Sequence, residues 1–341
     1  MITASRPFPH TRLRRLRKHD WLRKLTQEYQ LTAQNLILPL FIHAEATSIP
    51  ITSFPSIKRY CLDDLITICR QAQAIGIKAI ALFPVLSPSL KNSMGTAALA
   101  PNNLITQALQ RIRYANLDLG VICDCALDPY TDHGHDGILQ MDGDVDNDGT
   151  IAILAQQAVQ LANAGADIIA PSDMQDGRIG AIRKALDSAG QQEVSILSYT
   201  AKYASLFYNP FRNAIDANGL KKIQNPKQRS DKKSYQMNPA NRAEAIHIAN
   251  QHLQEGADCL MVKPAMGYLD IVLSLHQNCQ VPIFAYQVSG EYVMMHAYAT
   301  QQSVNLTHIL YESLLSCRRA GAQAIFTYGA LQIAQTLSTT L

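Results

Sequence analysis

Gly256-Ala-Asp-Cys-Leu-Met-Val-Lys-Pro264 opens on a glycine, runs through an apolar core and ends on a lysine followed by proline. The glycine follows a stretch of helical periodicity, so it reads as a left-handed helix C-terminus. The run Cys259-Leu-Met-Val262 has no polar alternation, as expected of a strand buried on both faces of a parallel sheet. The phrase recurs as Gly76-Ile-Lys-Ala-Ile-Ala-Leu-Phe-Pro84, Gly165-Ala-Asp-Ile-Ile-Ala-Pro171 and Gly321-Ala-Gln-Ala-Ile-Phe-Thr-Tyr328. Filling the gaps gives eight candidate strands, at about 36–43, 77–85, 119–126, 167–172, 194–200, 258–263, 282–288 and 323–328.

Amphipathic helices separate most of these strands. Residues 61–74 put Leu62, Leu65, Ile66, Cys69 and Ala72 on one face, and 149–164 do the same with Ile151, Leu154, Ala155, Ala158 and Ala162. Asp148 is the expected N-cap of the second helix. Strands and helices in this alternation predict the α/β class and a closed (β/α)8 TIM barrel. A doubly wound open sheet is the alternative, but no GxGxxG follows the first strand.

Two regions break the alternation. Residues 1–33 precede the first strand and read as an extended N-terminal arm, leaving 34–341 as the catalytic barrel domain. Residues 209–238 form a polar stretch with six basic residues between Lys221 and Lys233, too long for an ordinary barrel loop and read as an active-site lid.

The chain has 341 residues, 47% hydrophobic and 17% charged, an ordinary globular composition. No run approaches the length of apolar chain that spans a bilayer, and no apolar signal segment begins it, so a cytoplasmic protein without membrane contact is expected. Seven scattered cysteines without a CxxC pair fit reduced thiols. The formal charge of +3 hides an asymmetry: residues 1–24 carry +7 and the remainder −4. A basic arm is one way to hold nucleic acid. Without an aromatic-rich basic surface beside it, the arm is read instead as packing on a neighbouring subunit.

Barrel active sites form where strands end, so the polar residues at those ends are the candidates. They are Asp124, Ser172, Asp173, Tyr199, Lys202, Lys263, Ser289 and Tyr328. Lys263 closes an apolar strand and Lys202 closes the strand before it. Two ammonium groups held close, one in apolar surroundings, lower each other's pKa. A neutral amine can attack a ketone and form a Schiff base, which arginine cannot do because it stays protonated.

At these residues the chain resembles the porphobilinogen synthase (5-aminolevulinate dehydratase) family, from Leu38-Pro-Leu-Phe41 to Thr327-Tyr-Gly-Ala330. The most specific matches are Asp128-Pro-Tyr-Thr-Asp-His-Gly-His-Asp-Gly137, Ala170-Pro-Ser-Asp-Met-Gln-Asp-Gly-Arg178 and Ser198-Tyr-Thr-Ala-Lys-Tyr-Ala-Ser205. Tyr235-Gln-Met-Asn-Pro239, Met261-Val-Lys-Pro264 and Gln287-Val-Ser-Gly-Glu-Tyr292 complete the set. The resemblance implies Schiff bases on both lysines, joining two 5-aminolevulinate molecules into porphobilinogen for tetrapyrrole synthesis. It implies that Lys263 takes the first substrate, with Ser289 and Tyr328 on its carboxylate. Lys202 then takes the second, whose carboxylate faces Arg212, Lys232 and Gln236. Asp124 and Asp173 are candidates for orienting the free amine or relaying protons. The resemblance also implies a homo-octamer in which the arm embraces a neighbour.

This sequence departs from the family pattern in several places, among them a longer lid between Ile215 and Lys232 and Ala97 where a glutamate is common. Zinc-dependent members have three cysteines where this chain has Ala126, Asp128 and Asp136, so no zinc site is expected. Cys123 and Cys125 flank Asp124 and point to the opposite strand face, toward helices. Asp128 and Asp136 are candidate ligands for a hard cation such as Mg2+ or K+. Ile248 stands where magnesium-stimulated members carry a glutamate, and Lys232 stands where a second arginine is usual. The alternative chemistry is a class I Schiff-base aldolase, which needs one barrel lysine and no second substrate pocket.

Overall fold

The computed structural model describes residues 6–217 and 231–339. The centre of the expected lid, 218–230 with Gly219, Lys221, Lys222, Pro226, Lys227 and Arg229, lies outside the described residues, as do 1–5 of the arm. The expected strands form as β1 (Leu36–His43), β4 (Ala79–Val85), β5 (Gly120–Cys125), β6 (Ile168–Pro171), β7 (Ser195–Lys202), β8 (Cys259–Lys263), β9 (Ile283–Tyr286) and β10 (Ala324–Phe326). Each pairs in parallel with the next, and β10 returns to β1 through Leu36↔Ile325 and Ile37↔Phe326. The closed barrel is therefore the one expected from the repeated phrase. Its four glycines, Gly76, Gly165, Gly256 and Gly321, all have φ between 88° and 110°, a conformation that a Cβ would strain.

The helices that matter below are α2 (Leu62–Ala74), α3 (Leu104–Tyr114), α4 (Asn147–Ala164), α5 (Arg178–Ser188) and α7 (Ala243–Gln254). On α2, Leu65, Cys69 and Ala72 are buried as expected, joined by Ile68. The N-cap of α4 is Asp146, not Asp148: the Asp146 carboxylate accepts from Gly149 N at 3.1 Å. Asp148 already lies in the first turn, where its charge faces the helix dipole without capping.

Two strands were not expected, β2 (Ile49–Pro50) and β3 (Lys58–Tyr60), which form an antiparallel pair beside the end of β1. Two or three residues are too few to carry a readable period. The pair has a use, because Arg59 on β3 donates to Ala214 O (2.8 Å) and Asn213 O (2.9 Å), at the end of α6 (Asn209–Ala214). Between residues 6 and 30 every described side chain is exposed or half-buried, including α1 (Asp20–Leu25). Leu31 is the first to enter the core.

Candidate active site

Lys202 and Lys263 end neighbouring strands and are register partners across the β7–β8 ladder, which places their backbones one strand spacing apart. Both are only 6% exposed. The Lys263 ammonium nitrogen lies 4.3 Å from the Tyr286 ring centre, 5.0 Å from Phe211, 5.1 Å from Tyr199 and 5.4 Å from Tyr208. Ring faces favour a cation weakly, but burial disfavours the charge more strongly. Burial and then the Lys202 ammonium pull the Lys263 pKa down to about 7.

Lys202 Nζ donates to Ser172 O and lies 3.6 Å from Asp136 Oδ2. Asp136 in turn shares Lys232 with Asp128, the Lys232 Nζ standing 3.1 Å and 3.2 Å from their oxygens. Burial alone would raise both carboxyls. For Asp136, Lys202 and Lys232 outweigh it and leave the pKa lowered, while Asp128 stays raised by burial and by Asp136. Asp124 at the end of β5 has a buried Oδ1 with no hydrogen-bond partner. Burial and the nearby Asp128 push its carboxyl up to about 7, against the pull of both active-site lysines. A proton acceptor tuned to neutral pH therefore sits beside an amine tuned to neutral pH.

Phe83, Asp124, Asp128, Ser172, Lys202, Tyr208, Phe211, Arg212, Lys232, Gln236 and Lys263 enclose a cavity of about 20 Å3, room for a water or two. A substrate must displace something, and α6 is the nearest cover. Phe211 packs 5.2 Å from Phe83 and 5.5 Å from Phe41, and its backbone N–H donates to Ser289 Oγ at 2.9 Å. Ser289 Oγ donates in turn to Phe207 O at 3.2 Å. Tyr328 OH pairs with Tyr286 OH at 3.1 Å, and Tyr286 faces Lys263. Phe211 thus touches both Lys263 and Ser289, while Tyr286 links Lys263 to Tyr328, the other hydroxyl expected on the first carboxylate.

Two expected residues are placed differently. Asp173 does not line this cavity: its Oδ2 is 3.5 Å from Nε of Arg178 on α5, and Gln175 N donates to its Oδ1 at 2.7 Å. Arg178 is 2% exposed, and a buried guanidinium needs a carboxylate partner. Lys232 is committed to Asp128 and Asp136 rather than free to face a substrate carboxylate. The ammonium of Lys232 fills the space between the two oxygens that a cation would take, and the three zinc positions offer no thiolate. Among the described residues no three His, Cys, Asp or Glu side chains come together as a metal cluster.

Cys125 turns outward, its Sγ 3.5 Å from Leu154 O and 3.4 Å from Gln157 Oε1 on α4, and Cys123 is fully buried. Strand alternation had placed Cys125 there. Sequence reasoning missed the aromatic walls Phe83, Tyr208, Phe211 and Tyr286. Tyr208 and Phe211 flank Arg212 at the start of the lid, and Tyr286 ends a barrel strand, so their positions held a signal. Their apolar character read as core. A larger cavity of about 810 Å3, bordered by His43, Arg59, Leu62, Asn103 and Asp216, opens beside the ends of β1 and β4 and contains neither lysine.

The sequence profile of the delta-aminolevulinic acid dehydratase family matches residues 10–336. The chloroplastic delta-aminolevulinic acid dehydratase of Physcomitrium patens is 47% identical over 99% of this chain and 75% of its own length. The delta-aminolevulinic acid dehydratase of Bradyrhizobium diazoefficiens is 45% identical, over 96% and 91%. The crystal structure of delta-aminolevulinic acid dehydratase (porphobilinogen synthase) from Toxoplasma gondii, in complex with its product porphobilinogen, is 42% identical. It superposes with a TM-score of 0.93, covering 97% of this chain and 92% of that one.

Proposed function

Since the chain belongs to the delta-aminolevulinic acid dehydratase family, we propose that it joins two 5-aminolevulinate molecules into porphobilinogen with loss of two waters. It is a lyase of tetrapyrrole synthesis. The observation that carries the assignment to particular residues is the pair of amines at the ends of β7 and β8, one of them boxed by rings. The neutral Lys263 amine attacks the ketone of the first substrate and releases water as the imine forms. Lys202 does the same with the second. Carbon–carbon and carbon–nitrogen bonds then join the two, each new bond followed by release of one lysine amine so that the two waters shed at imine formation are the only ones lost. Asp124 is placed to accept and return protons. The second carboxylate meets the cationic side of the cavity at Arg212 and Gln236, with Lys232, paired to Asp128 and Asp136, adding positive charge beside them.

The reaction is read as needing no zinc. The aspartates that replace thiolates are neutralised by Lys232 and Lys202, so a hard cation such as Mg2+ or K+ would have to displace an ammonium to bind there. No helix among the described residues is long and apolar enough to cross a membrane, and we place the protein in the cytoplasm. The exposed arm supports assembly into a homo-octamer rather than nucleic-acid binding.

Incubation with 5-aminolevulinate followed by a colour test for the pyrrole decides the reading. Pyrrole from the wild type, and none from Lys263→Ala, is the expected result. An aldolase would make no pyrrole and would tolerate loss of Lys202.

A further inference from the structure

Lys263 and Ser289 reach the first-substrate site from different strands. The β8–β9 ladder that aligns those strands ends at the pair Val262↔Ala285, short of both residues. Beyond it one buried carboxylate is hydrogen-bonded to both segments. Glu291, in the first turn of α9 (Ser289–Gln302), is 1% exposed. One of its oxygens accepts from Met266 N at 2.6 Å, and the other accepts from Val288 N at 2.7 Å and Ala265 N at 3.4 Å. The first and third of these donors lie just beyond Lys263, and the second immediately precedes Ser289. Burial pushes the Glu291 carboxyl up to about 7, and those backbone N–H groups oppose the rise.

We propose that Glu291 is a positioning residue that sets the spacing between the Lys263 amine and the Ser289 hydroxyl, and so selects the length of the keto acid accepted as first substrate. A chain with its ketone on carbon 4 and its carboxylate on carbon 1 has a fixed reach, so two anchors at a set separation discriminate against a chain one methylene longer. Both carboxylate oxygens act as acceptors, one for Met266 N and the other for Ala265 N and Val288 N, so the second bridges the two segments. An amide at this position offers one acceptor oxygen only, and its NH2 must face either Met266 N–H or the Ala265 and Val288 N–H groups. The segment after Lys263 loses a bond in either orientation, and the staple loosens. The displacement would also reach the lid base, because Ser289 Oγ bonds Phe207 and Phe211 of the adjoining segment. The inference rests on the proposed role of Lys263 and Ser289, and it adds the ruler between them.

The test compares the full-length wild type with Glu291→Gln. It measures inhibition by 4-oxopentanoate and 5-oxohexanoate, borohydride labelling of Lys263 by each, and kcat and KM for 5-aminolevulinate. The wild type should prefer 4-oxopentanoate by about tenfold or more, and Glu291→Gln should cut that preference at least about fivefold while still being labelled. KM should rise by about tenfold with a smaller change in kcat. An unchanged preference between the two keto acids, whatever the loss of rate, overturns the proposal. Should Glu291→Gln fail to fold, Glu291→Asp retains the charge but shortens the staple by one methylene, and the same preference is read from it. A wild type that labels Lys263 yet makes no pyrrole would sink the assigned reaction and leave the ruler testable by labelling alone.

Discussion

At Lys263 the surroundings set the charge: burial among four rings, and then a neighbouring ammonium, bring its pKa down to about 7. The amine must be unprotonated to attack, so Schiff-base formation should rise with pH through about 7 and level off above it, as read by borohydride labelling across pH 5–9. Lys202 helps lower that pKa, so Lys202→Met should move the labelling midpoint upward by roughly half a unit to one unit. A midpoint that stays put would remove Lys202 from the electrostatics of the site. Lys263→Ala should lower turnover by roughly 1,000-fold or more. Asp124→Asn should cost about 100-fold in kcat while leaving Lys263 labelling intact, because a proton carrier is lost and the nucleophile is not. Loss of labelling in that variant would make Asp124 a structural partner instead.

At the scale of elements, α6 is fastened to the barrel from three sides. Arg59 on β3 holds the carbonyls of Asn213 and Ala214, Lys91 Nζ donates to Ile215 O at 3.3 Å and Asp216 O at 2.9 Å, and Ser289 holds Phe207 and Phe211. Gly290 permits the last contact: a Cβ there would fall 2.6 Å from Phe207 Cα and O. Gly290→Ala should therefore push the Phe207 segment outward, costing about 1–3 kcal/mol, visible as a lowered Tm together with a raised KM. A variant with unchanged Tm and KM would mean that the backbone yields at no cost. Arg59→Met should loosen the same helix from its far side, and a raised KM with near-normal kcat is the expected signature.

For the whole molecule, the N-terminal arm poses the question of what covers it. Phe8, Leu13, Leu16, Trp21 and Leu25 are each more than half exposed, interleaved with arginines. An exposed apolar series of this kind marks an interface, in line with the subunit contacts proposed. Removing residues 1–28 should yield a smaller particle by light scattering, and an unchanged mass would move the interface elsewhere. Activity should also survive strong zinc chelation; a loss restored by Zn2+ alone would overturn the metal reading.

Repetition made the barrel legible before any coordinates: four glycine-led apolar phrases can be satisfied only by strands buried on both faces, and all four glycines adopt the required positive φ. That the two lysines meet was legible too, because both end adjacent parallel strands and such ends converge on one cavity. Strand alternation likewise sent Cys123 and Cys125 away from the pocket. What residue order could not supply was which distant groups meet. The pairing of Lys232 with Asp128 and Asp136, and of Glu291 with amides just past another strand end, joins positions far apart along the chain. Periodicity reports which face of an element is buried. Which carboxylate neutralises which cation depends on distances of 3–4 Å in space, and only the closed barrel sets those.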